Sequence, residues 1–183
     1  MIKTSSLIND FPSAFRYPRG IGIIEESTNL NEVEIGKGYI VNSGKDIAIL
    51  NLGTRLNNCM EACKILNDKN IFPTIADARF AKPLDTKLID ILIDDHKFLI
   101  TIEEGSIGGF ASHVLNYVHN IRRKKSSTII KNIIFPDKFI DHMKPEEQYE
   151  SIEMDTNSIV SYISRLSNDN IIDIKNFNYK KNN

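Results

Sequence analysis

The sequence predicts an α/β fold, a three-layer domain in which a mainly parallel sheet carries helices on both faces. Three observations predict it. Short apolar runs alternate with segments of helical period from Tyr39 to Leu166. The run Phe98-Leu99-Ile100-Thr101-Ile102 is apolar on almost every residue, as a strand covered on both sides requires. Capping residues, glycines and prolines punctuate the segments at the spacing of helix starts and tight connections.

Taken in order, residues 1–20 read as the tail of a preceding domain and residues 21–37 as a linker without helical period. The domain itself spans 38–167. Tyr39-Ile40-Val41 and Asp46 to Leu52 flank Asn42-Ser43-Gly44 and read as a hairpin that leads into a buried strand. Thr54 is placed to N-cap a helix whose buried face is Leu56, Cys59, Met60, Cys63 and Leu66. A short strand follows at Phe72 to Asp77. Asp85 caps a second helix carrying Leu88, Ile91 and Leu92.

After the strand ending at Ile102, a third helix presents Phe110, Val114, Val118 and Ile121. Arg122, Arg123, Lys124 and Lys125 sit at its C-terminal end, where cations suit the helix dipole and read as a solvated terminus. Ile129 to Phe135 is the next strand. Pro145 with Glu146 and Glu147 opens a further helix, and Ile159, Val160, Ile163 and Leu166 mark the last. Residues 168–183 are polar and predict a frayed, disordered tail.

With 183 residues and a formal net charge of −1, the chain is long enough to bury a core and offers no global charge for nucleic acid or an anionic membrane. No apolar run approaches the roughly 20 residues of a membrane span, and Met1 to Ser6 leads into no secretory apolar block. Cys59 and Cys63 are four apart on one helical face. That spacing suits a packed core in a reducing compartment better than a disulfide, and no further ligand is spaced for a metal.

Several residues invite chemistry. Arg16-Tyr17-Pro18-Arg19-Gly20 presents a planar cationic fork on a turn that proline stiffens and glycine lets bend, a natural hook for phosphate or carboxylate. Glu103 and Glu104 end a buried strand, where α/β sheets place their ligands. Adjacent strand residues face opposite ways, so the pair reads as a cap or a subunit contact and not as an acid–base dyad. Gly105-Ser106-Ile107-Gly108-Gly109 joins strand to helix without the spacing of a nucleotide loop and reads as a tight connection. His113 and Asp141-His142 lack a nucleophile context and read as structural. Asp77, Arg79, Lys82 and Asp85 read as an ion-pair and capping cluster around Pro83.

Five motifs follow in order: Tyr17-Pro18-Arg19-Gly20, Asn51-Leu52-Gly53-Thr54, Asp77 to Asp85, Ile102 to Phe110, and Pro136 to His142. Together they resemble the C-terminal third of the 1-deoxy-D-xylulose-5-phosphate synthase family, from about Phe11 to about Leu166. The resemblance implies a transketolase-type C-terminal domain preceded by the end of a pyrimidine-binding-type domain. It implies an enzyme that condenses pyruvate with glyceraldehyde 3-phosphate, losing carbon dioxide, in isoprenoid precursor, thiamine and pyridoxal biosynthesis. It implies thiamine diphosphate and Mg2+ held by domains upstream, a homodimer, and a home in bacterial cytoplasm or a plastid-type organelle.

Carried over by residue, the resemblance makes Arg19 the phosphate ligand of glyceraldehyde 3-phosphate, with Tyr17 as its candidate helper. It gives this chain no catalytic, cofactor or metal residue, so the 183 residues alone are expected to be inactive. Two alternatives stand beside it: a non-catalytic assembly and dimerisation module, and the C-terminal part of a 2-oxoacid dehydrogenase beta subunit, which shares the Glu-Glu-Gly and Lys-Pro-Leu-Asp pieces.

Overall fold

A computed structural model describes residues 1–17, 31–122 and 124–168. Its centre is a five-stranded sheet of order β1-β3-β2-β4-β5, formed by β1 (Tyr39–Asn42), β2 (Asp46–Leu52), β3 (Thr74–Asp77), β4 (His96–Glu103) and β5 (Ile129–Ile133). The β2–β3, β2–β4 and β4–β5 pairings are parallel, and only β1 runs antiparallel, against β3. Residues 47–51 and 99–103 are buried without alternation, because both faces of the sheet are covered.

One face packs under α2 (Leu56–Asn67) and α6 (Thr156–Asn168). There Cys59, Ala62, Cys63 and Leu66 meet Ile159, Val160 and Ile163 over Ile47, Ile49 and Ile100. The other face packs under α3 (Thr86–Asp95) and α4 (Phe110–Asn116), where Leu88, Ile89, Leu92, Phe110 and Val114 cover Ala48, Leu50 and Leu99. Each fully buried Ile or Leu contributes about 1.5–3 kcal/mol of burial free energy, so these two layers dominate the stability. Two short helices complete the described elements, α1 (Ile2–Ser6) and α5 (Pro145–Ser151), and Tyr149 of α5 packs against the first of these layers.

The expected hairpin does not form. Both edges of β2 are taken, one by β3 and one by β4, which leaves β1 no place beside it. The Ser43-Gly44-Lys45 turn is instead seated on the chain entering β3. Lys45 N–H donates to Phe72 O at 2.8 Å, Gly44 N–H to Thr74 Oγ1 at 2.9 Å, and Asn42 Nδ2 to Pro73 O at 3.1 Å. A Cβ on Gly44 would lie 2.0 Å from Phe72 O, so this close approach requires glycine.

Thr54 does not cap α2. Arg55 occupies the N-cap position without a side-chain capping bond, and the Thr54 hydroxyl is turned toward Glu104. Asp85 does cap α3, with Oδ1 accepting from Leu88 N–H at 3.1 Å. The third helix is shorter than its apolar pattern: after Asn116 it widens into a π-helical turn, Tyr117–Ile121, closed by Arg122 N–H on Tyr117 O at 2.8 Å. Within the segment read as a preceding-domain tail, α1 is tied to the described end of the linker by Val33 N–H on Thr4 Oγ1 at 2.9 Å. Residues 18–20 of that segment, 21–30 of the linker read over 21–37, and 169–183 of the tail read over 168–183 lie outside the described residues.

Candidate functional site

Because β2, β3, β4 and β5 are parallel, their C-terminal ends share one edge of the domain. Four of the five sequence motifs follow those ends: the Gly53 loop after β2, Asp77 to Asp85 after β3, Glu103 to Phe110 after β4, and Pro136 to His142 after β5. Strand order reverses direction around β2, with β3 on one side and β4 on the other, so the crevice between the β2 and β4 loops is a topological switch point. Backbone bonds bind the loops together, Ala78 N–H to Asn51 O at 2.8 Å and Phe135 N–H to Gly105 O at 2.9 Å.

Glu104 is the hub of that crevice. Its Oε1 accepts from the Thr54 hydroxyl, from Arg55 Nε at 3.1 Å and from the Tyr149 hydroxyl at 2.8 Å. The Arg55 guanidinium also lies 3.5 Å from the centre of the Tyr149 ring. The Arg55 and Glu104 side chains keep 13% and 21% of their surface exposed, so the pair is shielded enough to act as a clasp between α2, β4 and α5. Burial, and then the hydrogen bond and charge of Glu104, push the Tyr149 phenol above its ordinary value, against the pull of Arg55. Tyr149 therefore stays a donor.

Glu103 points to the other face. Its Oε2 accepts from Phe110 N–H at 2.9 Å and its Oε1 from Ala111 N–H at 2.7 Å, so it caps α4 from the preceding strand. The glycine loop exists to admit this carboxylate: a Cβ on Gly105 or Gly109 would come within 2.6 Å of Glu103 Oε2. The helix terminus that could have cradled a diphosphate is thus filled by the chain's own acid. The residues here do not fit thiamine diphosphate, and among the described residues no group of three or more His, Cys, Asp or Glu could hold a metal ion.

The cluster around Pro83 is only partly as expected. Asp85 is buried, and besides capping α3 it accepts from Gly38 N–H at 3.1 Å and pairs with Lys37 at 3.8 Å. Asp77 Oδ1 accepts from Arg79 N–H at 2.9 Å, and burial raises its carboxyl above the ordinary value against that bond and the Arg79 charge. The Arg79 guanidinium stacks 4.0 Å from the centre of the Tyr39 ring and ion-pairs with neither aspartate. Lys82 is exposed and forms no ion pair among the described residues.

Arg19, the residue singled out as the phosphate hook, lies outside the described residues. Arg16 and Tyr17 are exposed, and Tyr17 lies 6.2 Å from Phe15, ring to ring. His142 is exposed and His113 half-buried, and no ring hydrogen bond from either is found among the described residues. Cys59 and Cys63 are free and buried, and burial pushes the Cys59 thiol up to about 12. Sequence reading missed Arg55 and Tyr149. Arg55 was in view beside Thr54, whereas nothing in the spacing of Tyr149 from Glu104 could reveal a contact made through the tertiary fold.

Among the described residues no helix is long and apolar enough to cross a membrane. Residues 36–159 match the family described as transketolase, C-terminal domain. The chain is 39% identical over 169 residues to a protein of Oryza sativa subsp. japonica named probable 1-deoxy-D-xylulose-5-phosphate synthase 2, chloroplastic. The match covers 91% of this chain and 24% of that relative, so the chain spans about a quarter of the relative's length. Among solved structures, a split gene transketolase in an inactive beta4 tetramer aligns with a TM-score of 0.67 at 23% identity, covering 79% of this chain and 46% of that one. A Pichia stipitis transketolase mutant crystallised with xylulose 5-phosphate aligns at 0.52 and 15%, covering 71% and 18%. At these identities the structural matches speak to the fold alone.

Proposed function

The chain belongs to the transketolase C-terminal domain family, and from that premise we propose that it forms the C-terminal part of a 1-deoxy-D-xylulose-5-phosphate synthase. One observation carries the reading: 39% identity to a relative of that name, sustained over 91% of this chain. The whole enzyme joins pyruvate to glyceraldehyde 3-phosphate with loss of carbon dioxide, and works in a plastid-type organelle. Thiamine diphosphate, when bound, supplies the carbanion chemistry from domains that lie upstream, together with Mg2+. This chain supplies no residue to that centre within its two layers. Its part is Arg19, whose guanidinium grips the phosphate of the aldehyde acceptor, with Tyr17 beside it.

The test uses the full open reading frame with both substrates, thiamine diphosphate and Mg2+. The expected result is 1-deoxy-D-xylulose 5-phosphate from the full protein and none from the 183-residue chain. Arg19→Ala in the full protein raises the KM for glyceraldehyde 3-phosphate by roughly 10- to 100-fold, the loss of one charge-assisted contact. An unchanged KM removes Arg19 from the acceptor site, and product from the short chain removes the dependence on upstream domains.

A second reading, an assembly module, is favoured by the apolar side chains that the N-terminal segment leaves in solvent. Ile2, Leu7, Phe11 and Phe15 are exposed there, and Tyr17 keeps 79% of its surface. Such a row fits a contact with the remainder of a longer protein, and it is compatible with the synthase reading.

A further inference from the structure

At the opposite end of the sheet from the Glu104 clasp, an open groove of about 490 Å3 lies between the end of α3, the second half of α4 with its π-helical turn, and the start of β5. Its floor is aliphatic, built from Ile93, Leu115, Val118 and Ile130. Its rim is basic, built from His119, Arg122, Lys124 and Lys125. The volume falls in the range of about 300–1,000 Å3 typical of small-molecule sites.

The rim is a fixed frame. Arg122 keeps only 3% of its side chain exposed and is held on three sides: Nε donates to Asp90 Oδ1 at 2.7 Å, Nη1 to Lys124 O at 2.6 Å, and Nη2 to Asp94. Lys124 Nζ pairs with Asp94 Oδ2 at 2.7 Å. The loop returning to β5 is pinned by the Thr128 hydroxyl on His96 O at 2.9 Å. The π-helical turn widens the helix where Val118 and His119 enter the groove. Asp90 and Asp94 balance Arg122 and Lys124. Lys125 and His119 are exposed and carry no ion pair among the described residues, so Lys125 leaves the rim one cation that no carboxylate balances there, over an apolar floor.

We propose that this groove binds a small anionic amphiphile, a short aliphatic chain ending in a carboxylate or a phosphate. The chain lies on Leu115, Val118 and Ile130, and the head meets Lys125 and His119. An inorganic anion would leave the aliphatic floor hydrated, and a neutral hydrocarbon would leave the surplus charge unmatched. An added peptide strand would run the length of the β5 edge, Ile129–Ile133, whereas of that strand only Ile130 lines the groove. The proposal does not depend on the synthase reading.

The test titrates the full chain, methyl-labelled at Ile, Leu and Val, with octanoate and with hexyl phosphate. Saturable shifts confined to the methyls of Ile93, Leu115, Val118 and Ile130 are expected. Comparison of the two probes tells which head is preferred. Lys125→Glu, an exposed position that leaves the fold intact, weakens binding by roughly ten-fold, and added salt weakens it in the parent chain. Four outcomes overturn the proposal: shifts that do not saturate or are scattered over the surface, equal binding of neutral octyl glucoside, equal binding by the Lys125→Glu chain, or silence toward both anions while an acidic peptide shifts the β5 amides.

Discussion

Glu103 and Glu104 are consecutive in sequence and serve opposite faces of one sheet. The first accepts the Phe110 and Ala111 N–H groups of α4, and the second takes Thr54, Arg55 and Tyr149 on the α2 side. The pleat of β4 separates the two carboxylates, as adjacent strand positions require, and it turns each into a fastener for a different layer.

Glu103 should matter more to stability than any acid on the surface. Truncation to Ala strands two buried N–H donors at the α4 terminus and is expected to destabilise the domain by about 2–4 kcal/mol. Glu103→Gln keeps one accepting oxygen and should lose less. Urea midpoints of the two variants check this, and a Glu103→Ala chain as stable as its parent would contradict the capping role.

Tyr149 should ionise late. Its phenol is raised by burial first and by Glu104 second, so in Glu104→Gln it should titrate at lower pH while staying above the ordinary value. A group whose folded value is raised favours the folded state fully below its unfolded value, near 10, and loses that contribution as pH rises through the folded value. Alkaline absorbance titration of parent and variant reads this directly, and superimposable curves would remove Glu104 as a cause.

Asp77 gives the same sign in acid. Burial raises its carboxyl, so its favourable contribution is complete below the unfolded value of 3.8 and is lost as pH rises through the folded one. Asp77→Asn keeps an acceptor for Arg79 N–H and sheds the desolvated charge. Its thermal midpoint should equal or exceed the parent's at pH 7, with the difference closing toward pH 3. A clear drop at pH 7 would mean that the Arg79 charge outweighs burial.

Gly44→Ala should lower stability by about 1–3 kcal/mol, the usual penalty of forced overpacking, because the new methyl meets the Phe72 carbonyl. Gly53→Ala, whose Cβ would meet no atom, provides the contrast: its penalty comes only from a φ of +96°. Equal and negligible losses at both positions would argue that the Gly44 turn is not seated on β3.

The two-faced sheet was legible because burial on both sides leaves an unbroken apolar run in β4 and helical stripes such as Leu88 and Leu92 on its neighbours. The partner of β1 was not legible. Asn42-Ser43-Gly44 carries local turn chemistry, but its seat is chosen by Phe72, Pro73 and Thr74, some thirty residues on. Thr54 misled for the same reason: its hydroxyl has a local use as a cap and a distant use on Glu104, and the charged acceptor wins. Of the candidate site, Asp85 as a cap and Glu103 as the anchor of the following loop could be read from neighbouring residues. The clasp through Tyr149 could not.

The face of the sheet beneath α2 is completed by α6, which is made after every strand. During synthesis on a ribosome, Ile47, Ile49 and Ile100 therefore wait half-covered until Ile159, Val160 and Ile163 emerge, while the α3 and α4 face can already close. A premature stop anywhere between β5 and α6 would release a chain that has a built sheet and one greasy side only half-covered, a natural client for chaperones and for degradation.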